Sequence, residues 1–319
     1  MATLQQIGMN GLVGVAPTPV LQRAINHYLV NDELMNVMRF VNNAQGSNLG
    51  NFQVSYVYYE GTSEATFRAL GVDYDPDNEQ PLTNTVSLAF LGGAFETDIE
   101  IARAFGQNAG AVANWTEQQI AQKLNAITNG FAKAFIVGDK DTDSKSFNGL
   151  NKSISAGQVI DTPITVEYTE AGALKAEVEI NKAIGKIKPK RPNLVITNAT
   201  GKAILSSLNA YRHRGVEVIE VNGKKYDQYM GIPIVALTDN CFADADIADG
   251  KIPVIFGFVD ELDGIRCSIP ADGQVVIILP PKFENGKVIE KGACEMAVAP
   301  LFANPFAVAK CYLKEAVAE

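Results

Sequence analysis

The stretch Asn193-Leu-Val-Ile-Thr-Asn-Ala-Thr-Gly-Lys202 sets a Gly-Lys pair between a strand-like run and a helical one, the setting of a phosphate-binding loop. That chemistry needs a glycine five residues before the second glycine, so that free backbone amides face the phosphate, and a Ser or Thr after the lysine for magnesium. Ile196 and Ala203 stand at those positions, so an ordinary capped helix is expected. Asp139, Asp141 and Asp143 alternate as calcium ligands do, but Ser144 and Leu150 replace the required Gly and Glu. A Ser–His–Asp arrangement would have to use His27 or His213, the two histidines of the chain. His213 is wedged between Arg212 and Arg214, a poor place for a base, and no G-x-S-x-G elbow accompanies it. The many carboxylates leave paired-acid hydrolysis formally open, yet no spacing singles out a pair.

Cys241, Cys267, Cys294 and Cys311 are widely spaced, with no C-x-x-C pair and no nearby histidine. Buried or half-buried thiols are expected, not a disulfide framework or a zinc site. No catalytic, cofactor or metal site is assigned. The 319 residues carry a net charge of −9, which argues against tight binding of nucleic acid, because phosphate contacts need a basic surface. The N-terminus lacks the pattern of a signal peptide, and no apolar run approaches the ~20 residues of a membrane span.

Residues from 20 to 40 carry an amphipathic pattern broken near Asn31–Asp32, too short to bury a core of its own. Phe52–Tyr59 and Thr83–Phe90 read as strands. Between them lies an unusually long connection, and so long a structureless link in a compact protein is usually functional or disordered. Over residues 51–82, Arg68 faces six acids (Glu60, Glu64, Asp73, Asp75, Asp77 and Glu79), a charge of −5. Then comes the clearest helix, Glu117–Val137, about 30 Å long at ~1.5 Å per residue. Thr116-x-x-Gln119 reads as its capping box, Trp115 with Ile120 as its staple, and Gly138 as its stop. Ile120, Leu124, Ile127, Phe131 and Phe135 draw one apolar stripe along it, and Gly130 inside it implies a close neighbour. A helix over Leu174–Ile187, a strand Pro192–Thr197, a helix capped by Asn198 or Thr200, a hairpin at Asn222-Gly223 and a strand Gly231–Leu237 follow. From Ile252 onward the pattern is mostly strand, with a second hairpin near Asn285-Gly286. Helices and strands mix without regular βαβ alternation, which predicts an α+β fold.

The order of these elements resembles the major capsid proteins of tailed bacteriophages, with the Hong Kong 97 type of shell fold. The most specific marks are Phe147–Leu150 after the long helix, Gly231-Ile232-Pro233 at a strand start, and Glu295–Leu313 near the end. The resemblance implies an N-terminal arm (1–50), an extended β-hairpin loop (51–92), a peripheral domain (93–154 and 286–302) with spine helix 117–137, and an axial domain (155–285 and 303–319). It implies a structural, non-enzymatic protein that self-assembles from hexamers and pentamers into an icosahedral head around double-stranded DNA. Implied partners are a scaffolding protein, because the N-terminal arm is short, a portal protein, a decoration protein in some relatives, and DNA held without sequence-specific binding. No membrane is involved, and the expected location is the virion, after assembly in the host cytoplasm.

Some members of that family join subunits covalently through a lysine in the extended loop, an asparagine and a glutamate. Asn51–Leu82 contains no lysine, so a non-covalent shell is expected, although Glu295 lies near where the glutamate would fall. The expected inter-subunit contacts are Tyr56, Tyr58, Tyr59 and Arg68 on the loop, and the acids Asp73, Asp75, Asp77 and Glu79 against Lys282, Lys287 and Lys291 of a neighbour. Two other readings stand beside this one: a nanocompartment shell of the encapsulin kind holding enzyme cargo, and a soluble α+β enzyme or binding protein.

Overall fold

A computed structural model describes residues 32–46, 52–58, 67–73, 82–98, 100, 104, 109–188, 190–211, 218–282 and 289–316. The described chain forms two mixed sheets with helices packed on them, an α+β arrangement. The first sheet is built from β1 (Phe40–Gly46), β2 (Phe52–Tyr58), β3 (Leu82–Ser87), β4 (Ala89–Asp98), and, far away in sequence, β11 (Ile265–Pro270), β12 (Val276–Lys282) and β13 (Ile289–Phe302). The second runs in the order β5-β14-β10-β6-β9-β8-β7. Its members are β5 (Val159–Val166), β6 (Leu194–Asn198), β7 (Val218–Val221), β8 (Lys224–Tyr229), β9 (Ile232–Leu237), β10 (Ile252–Gly257) and β14 (Val308–Glu315).

The long helix α2 (Ala109–Val137) lies on the first sheet, against β4 and β13. Its stripe of Ile120, Leu124, Ile127, Phe131 and Phe135 is buried, as its spacing predicts. The helix begins at Ala109, so Thr116 and Gln119 sit inside it and not at its start. Once a helix is nucleated, extending it through Ala-rich Ala109–Asn114 costs little, and a capping pattern in mid-helix goes unused. The neighbour of Gly130 is Leu91, at 3.5 Å from where a Cβ would stand, which is ordinary contact.

The second sheet is covered by α4 (Glu170–Gly185) and α5 (Ala199–Tyr211). Helix α4 starts earlier than its apolar pattern suggests because the Thr169 side chain accepts from Gly172 N at 3.0 Å. Asn198 is the cap of α5, accepting from Gly201 N at 2.8 Å. The Asn222-Gly223 hairpin joins β7 to β8, and both turn residues have positive φ (51° and 80°), as a tight hairpin turn requires. The short helix α1 (Glu33–Val37), with Asp32 as its cap, docks on β7–β9. The expected break near Asn31–Asp32 is where this helix begins.

One expectation is corrected by the strand pairing. The run Thr83–Phe90 is not one strand, because Leu88 turns inward between β3 and β4 and donates its N–H to Phe52 O at 3.0 Å. Residues 265–282 join the first sheet, with β11 and β12 both antiparallel to β13. Local hydrophobic patterns give strand type but not sheet membership. The predicted hairpin at Asn285-Gly286 lies outside the described residues.

Candidate inter-subunit surface

Strands β2 and β3 pair antiparallel over their whole length, from Gln53 with Ser87 to Tyr58 with Leu82. The hairpin is rooted twice in the first sheet. β1 pairs with both β2 and β11, while β3 continues past Leu88 into β4, which pairs with β13 from Ala89 to Asp98. Ala44, Val54, Leu88, Ala297, Ala299 and Leu301 form a small core of their own at this root. Cross-strand bonds extend order outward: Ser55 Oγ lies 2.9 Å from Thr85 Oγ1, and Asn84 Nδ2 donates to the Tyr56 hydroxyl at 3.0 Å. A two-stranded ribbon alone is marginal in water, so this double anchoring is what holds it in order.

Beyond the strands, residues 67–73 form a turn closed by Val72 N donating to Ala69 O at 3.2 Å, with Gly71 at φ +88°. Arg68 donates to Val72 O at 3.2 Å, so its guanidinium braces its own loop. Phe67 and Leu70 are fully exposed (106% and 100%), and Val72 and Asp73 are exposed beside them. Three apolar side chains are thus bare within one short turn. Sequence reasoning missed these three apolar residues inside an acidic loop, although their types were the available signal.

Between the hairpin and the loop after α2 lies a groove of about 650 Å³, walled by Phe52, Phe90 and Phe302 on one side and by Lys140, Lys145 and Asn148 on the other. The loop itself is tightly made. Asp139 Oδ1 accepts from Asp141 N at 2.9 Å, and Asp143 Oδ1 accepts from Lys145 N at 3.0 Å. Asn148 Oδ1 accepts from Lys140 N at 2.9 Å. The alternating aspartates are therefore turn formers, and Lys152 pairs with Asp139 and Asp141 at 3.4 and 2.9 Å. A backbone hydrogen bond to Asp141 N, with help from Lys152, holds the Asp139 carboxyl below the usual carboxylate range. Among the described residues no group of three or more His, Cys, Asp or Glu is placed to hold a metal ion.

Of the expected contact residues, Tyr56 is half-buried against the root cluster and Asp73 is exposed. Tyr58 and Lys282 are placed as strand positions, Lys282 directly opposite Lys291 in the β12–β13 ladder. Lys291 pairs within its own chain with Glu96 at 2.7 Å, its opposite residue on β4. Tyr59, Asp75, Asp77, Glu79 and Lys287 lie outside the described residues, as do His27 and His213. Glu295 is exposed on β13, opposite Gly92 and Ile277. The four cysteines are buried and unbridged. Burial alone pushes the Cys311 thiol up to about 12, and burial, with partial relief from Lys123, pushes Cys294 up to about 11.

The Gly-Lys motif is a capped helix. A Cβ at Gly201 would strike Thr197 Oγ1, and Lys202 is spent on Asp227 at 3.0 Å.

One polar constellation gathers about β14 of the second sheet, and sequence reasoning did not find it. Lys310 on β14 contacts Asp246 Oδ1 at 2.7 Å and Asn151 Oδ1 at 2.8 Å. Asn151 Nδ2 donates to Asp246 Oδ2 at 2.9 Å, and the Tyr312 hydroxyl donates to Asp246 Oδ1 at 2.7 Å. The Lys310 and Asp246 side chains are 6% and 9% exposed. Burial, only partly offset by Asp246, holds the Lys310 amine below the usual lysine range. Burial also pushes Asp246 up, but the hydrogen bonds from Lys310, Tyr312 and Asn151 outweigh it and leave the carboxyl below its ordinary value. The available signal was a lysine in the wholly apolar run Ala307–Leu313, since a charge on a buried strand requires a partner.

No family model matches the sequence, and no curated protein matches it. Solved structures do resemble the fold. A holo-SrpI encapsulin complex from Synechococcus elongatus PCC 7942 superposes with a TM-score of 0.62 at 12% identity, covering 93% of this chain and 95% of that one. The capsid of an empty GTA particle gives 0.60 at 13% identity, over 94% and 92%. A structure of Microbacterium phage Oxtober96 gives 0.54 at 11% identity, over 89% and 91%.

Proposed function

From the Hong Kong 97-type shell fold that this chain shares with those neighbours, we propose that it is the major capsid protein of a tailed phage and self-assembles into an icosahedral head around double-stranded DNA. The observation that carries the reading is the β2–β3 hairpin, rooted in the chain's own sheet, together with the bare Phe67 and Leu70 of the connection between its strands. Such an arm gains its packing from a second copy. Tyrosines along it suit an interface, because Tyr brings area with few rotamers to freeze. In this reading 1–50 is the arm, 51–92 the extended loop, the first sheet with α2 the peripheral body, and the second sheet the body packed about the capsomer axes. A scaffolding protein, a portal and, on the outer surface, a decoration protein are the expected partners. The DNA is enclosed without sequence-specific contact. Assembly takes place in the host cytoplasm, and the subunits are held without covalent links.

The test is electron microscopy of the full chain, expressed alone and with a candidate scaffolding protein, followed by denaturing electrophoresis of the particles. Closed shells that dissolve to monomers are expected. Small oligomers under both conditions would sink the reading, and a ladder of covalent oligomers would sink its non-covalent part. A nanocompartment shell is the second reading, favoured by the 0.62 TM-score to an encapsulin. Particle contents separate the two: DNA for the head, a cargo enzyme for the nanocompartment.

A further inference from the structure

The buried constellation on the second sheet is more than a salt bridge. Its three side chains come from separate segments: Asn151 from the short helix α3 (Leu150–Ser153), Asp246 from the short helix α6 (Asp244–Ile247), and Lys310 from β14. An amine, a carboxamide and a carboxylate meet with every pair in contact. The amine sits 2.8 Å from the amide oxygen, and each carboxylate oxygen holds one of the two nitrogens, at 2.7 and 2.9 Å. We propose that Lys310 and Asn151 condense to an intramolecular isopeptide bond, with Asp246 carrying the protons.

The chemistry closes without a further reactant. Starting from ammonium and carboxylate, Lys310 Nζ passes one proton to Asp246 Oδ1, and its freed lone pair forms a bond to Asn151 Cγ. The Cγ–Nδ2 bond then breaks. Nζ yields its second proton, and the carboxyl hands both to Nδ2, which leaves as ammonium while the carboxylate is restored. One C–N bond forms, one breaks, and nothing is oxidised or reduced.

Four features of the site favour the reaction. Burial weakens the hold of Nζ on its proton, since a charged amine is costly away from water. The Tyr312 hydroxyl, donating to Asp246 Oδ1 at 2.7 Å, and the Tyr312 ring, 5.2 Å from Nζ, fix the carboxylate and the amine in place. Reacting groups held in contact gain the large advantage of an intramolecular reaction. A cavity of about 270 Å³, lined by Asn151, Asp161, Asp246, Lys310 and Tyr312, adjoins the cluster and gives the ammonium a way out.

The bond would tie residues 159 apart in one chain and involves neither the extended loop nor a second copy. It would leave electrophoresis of shells free of a ladder, so it stands or falls apart from the reading of the chain as a capsid protein.

The test is intact-mass spectrometry of the purified full chain, with peptide mapping. The wild type is expected one ammonia lighter than its sequence mass, with a branched peptide joining the segments around Asn151 and Lys310. Lys310→Met and Asn151→Ala should restore full mass. Asn151→Asp, which preserves shape, should fall short of its own sequence mass by one water. Should Lys310→Met not fold, Asn151→Asp alone still reads the bond. A wild type at full sequence mass overturns the proposal. So does a mass deficit that survives in Lys310→Met.

Discussion

Gly149 and Gly130 are the same residue type doing different things, and the difference can be tested. Gly149 has an ordinary φ of −83°, so any residue could adopt its backbone. A Cβ there would meet Ala134 O at 2.6 Å, Gly138 N at 2.8 Å and Phe135 O at 2.9 Å. Gly149 N donates to Gly138 O at 2.8 Å, so the loop after α2 is clamped backbone to backbone against the helix end. Gly149→Ala should destabilise the fold by about 1–3 kcal/mol, the usual cost of forcing volume into a packed site. Gly130→Ala should instead stabilise by about 0.5–1 kcal/mol, because α2 gains helix propensity and Leu91 stands at ordinary contact distance. Urea melts of the two variants check both signs. Gly130 is read from the sequence as a helix-interior glycine, but the clamp at Gly149 involves a contact eleven residues back along the chain, which no local pattern contains.

Helix α1 is five residues long and could not persist alone. It is held by polar contacts to β8, β9 and the turn between β7 and β8. Glu33 Oε2 accepts from Ala236 N at 3.1 Å, Asn222 Nδ2 donates to Asn36 O at 2.7 Å, and Asn36 Nδ2 donates to the Tyr226 hydroxyl at 2.9 Å. That hydroxyl donates in turn to Glu33 O at 3.4 Å. Burial, with a smaller contribution from the nearby acids, pushes Tyr226 up to about 12 from 10.0. The unfolded chain loses this proton first as pH rises, so the stability tied to the neutral hydroxyl is whole below pH 10 and is lost as pH climbs towards about 12. Alkaline unfolding should begin in that window. In Tyr226→Phe it should be shallower, after a loss of about 1 kcal/mol at neutral pH from the missing hydrogen bond. Denaturant melts across the alkaline range read both quantities.

In the proposed shell, the hairpin and its charges are the features expected to decide how copies meet. The acidic stretch with Asp73, Asp75, Asp77 and Glu79 is proposed to face Lys282, Lys287 and Lys291 of a neighbour. The Glu96 pairing of Lys291 lowers that residue's share and leaves more to the other two. Each exposed pair is worth only ~0–1 kcal/mol, but a shell repeats the contact many times, and salt screens it. Shells should therefore loosen as salt rises, and Lys287→Glu shells should be weaker at low salt and far less salt-sensitive. Light scattering of assembled particles against salt concentration makes the comparison, and equal slopes for both proteins would remove the charge contact.

The sequence alone carried the α+β class, the buried stripe of α2, the Asn222-Gly223 turn and the Asn198 cap. All of these rest on interactions within a few residues, where periodicity and side-chain chemistry act directly. It also exposed the long acidic connection, because so few residues there could build a core. Tertiary structure decided the rest. It placed β11 and β12 beside β13, rooted the hairpin through β1 and β4, paired Lys291 with Glu96, and brought Asn151, Asp246 and Lys310 into contact. These outcomes depend on which distant strands share a sheet. That choice is made by the summed burial of both faces, and no single stretch of the chain encodes it.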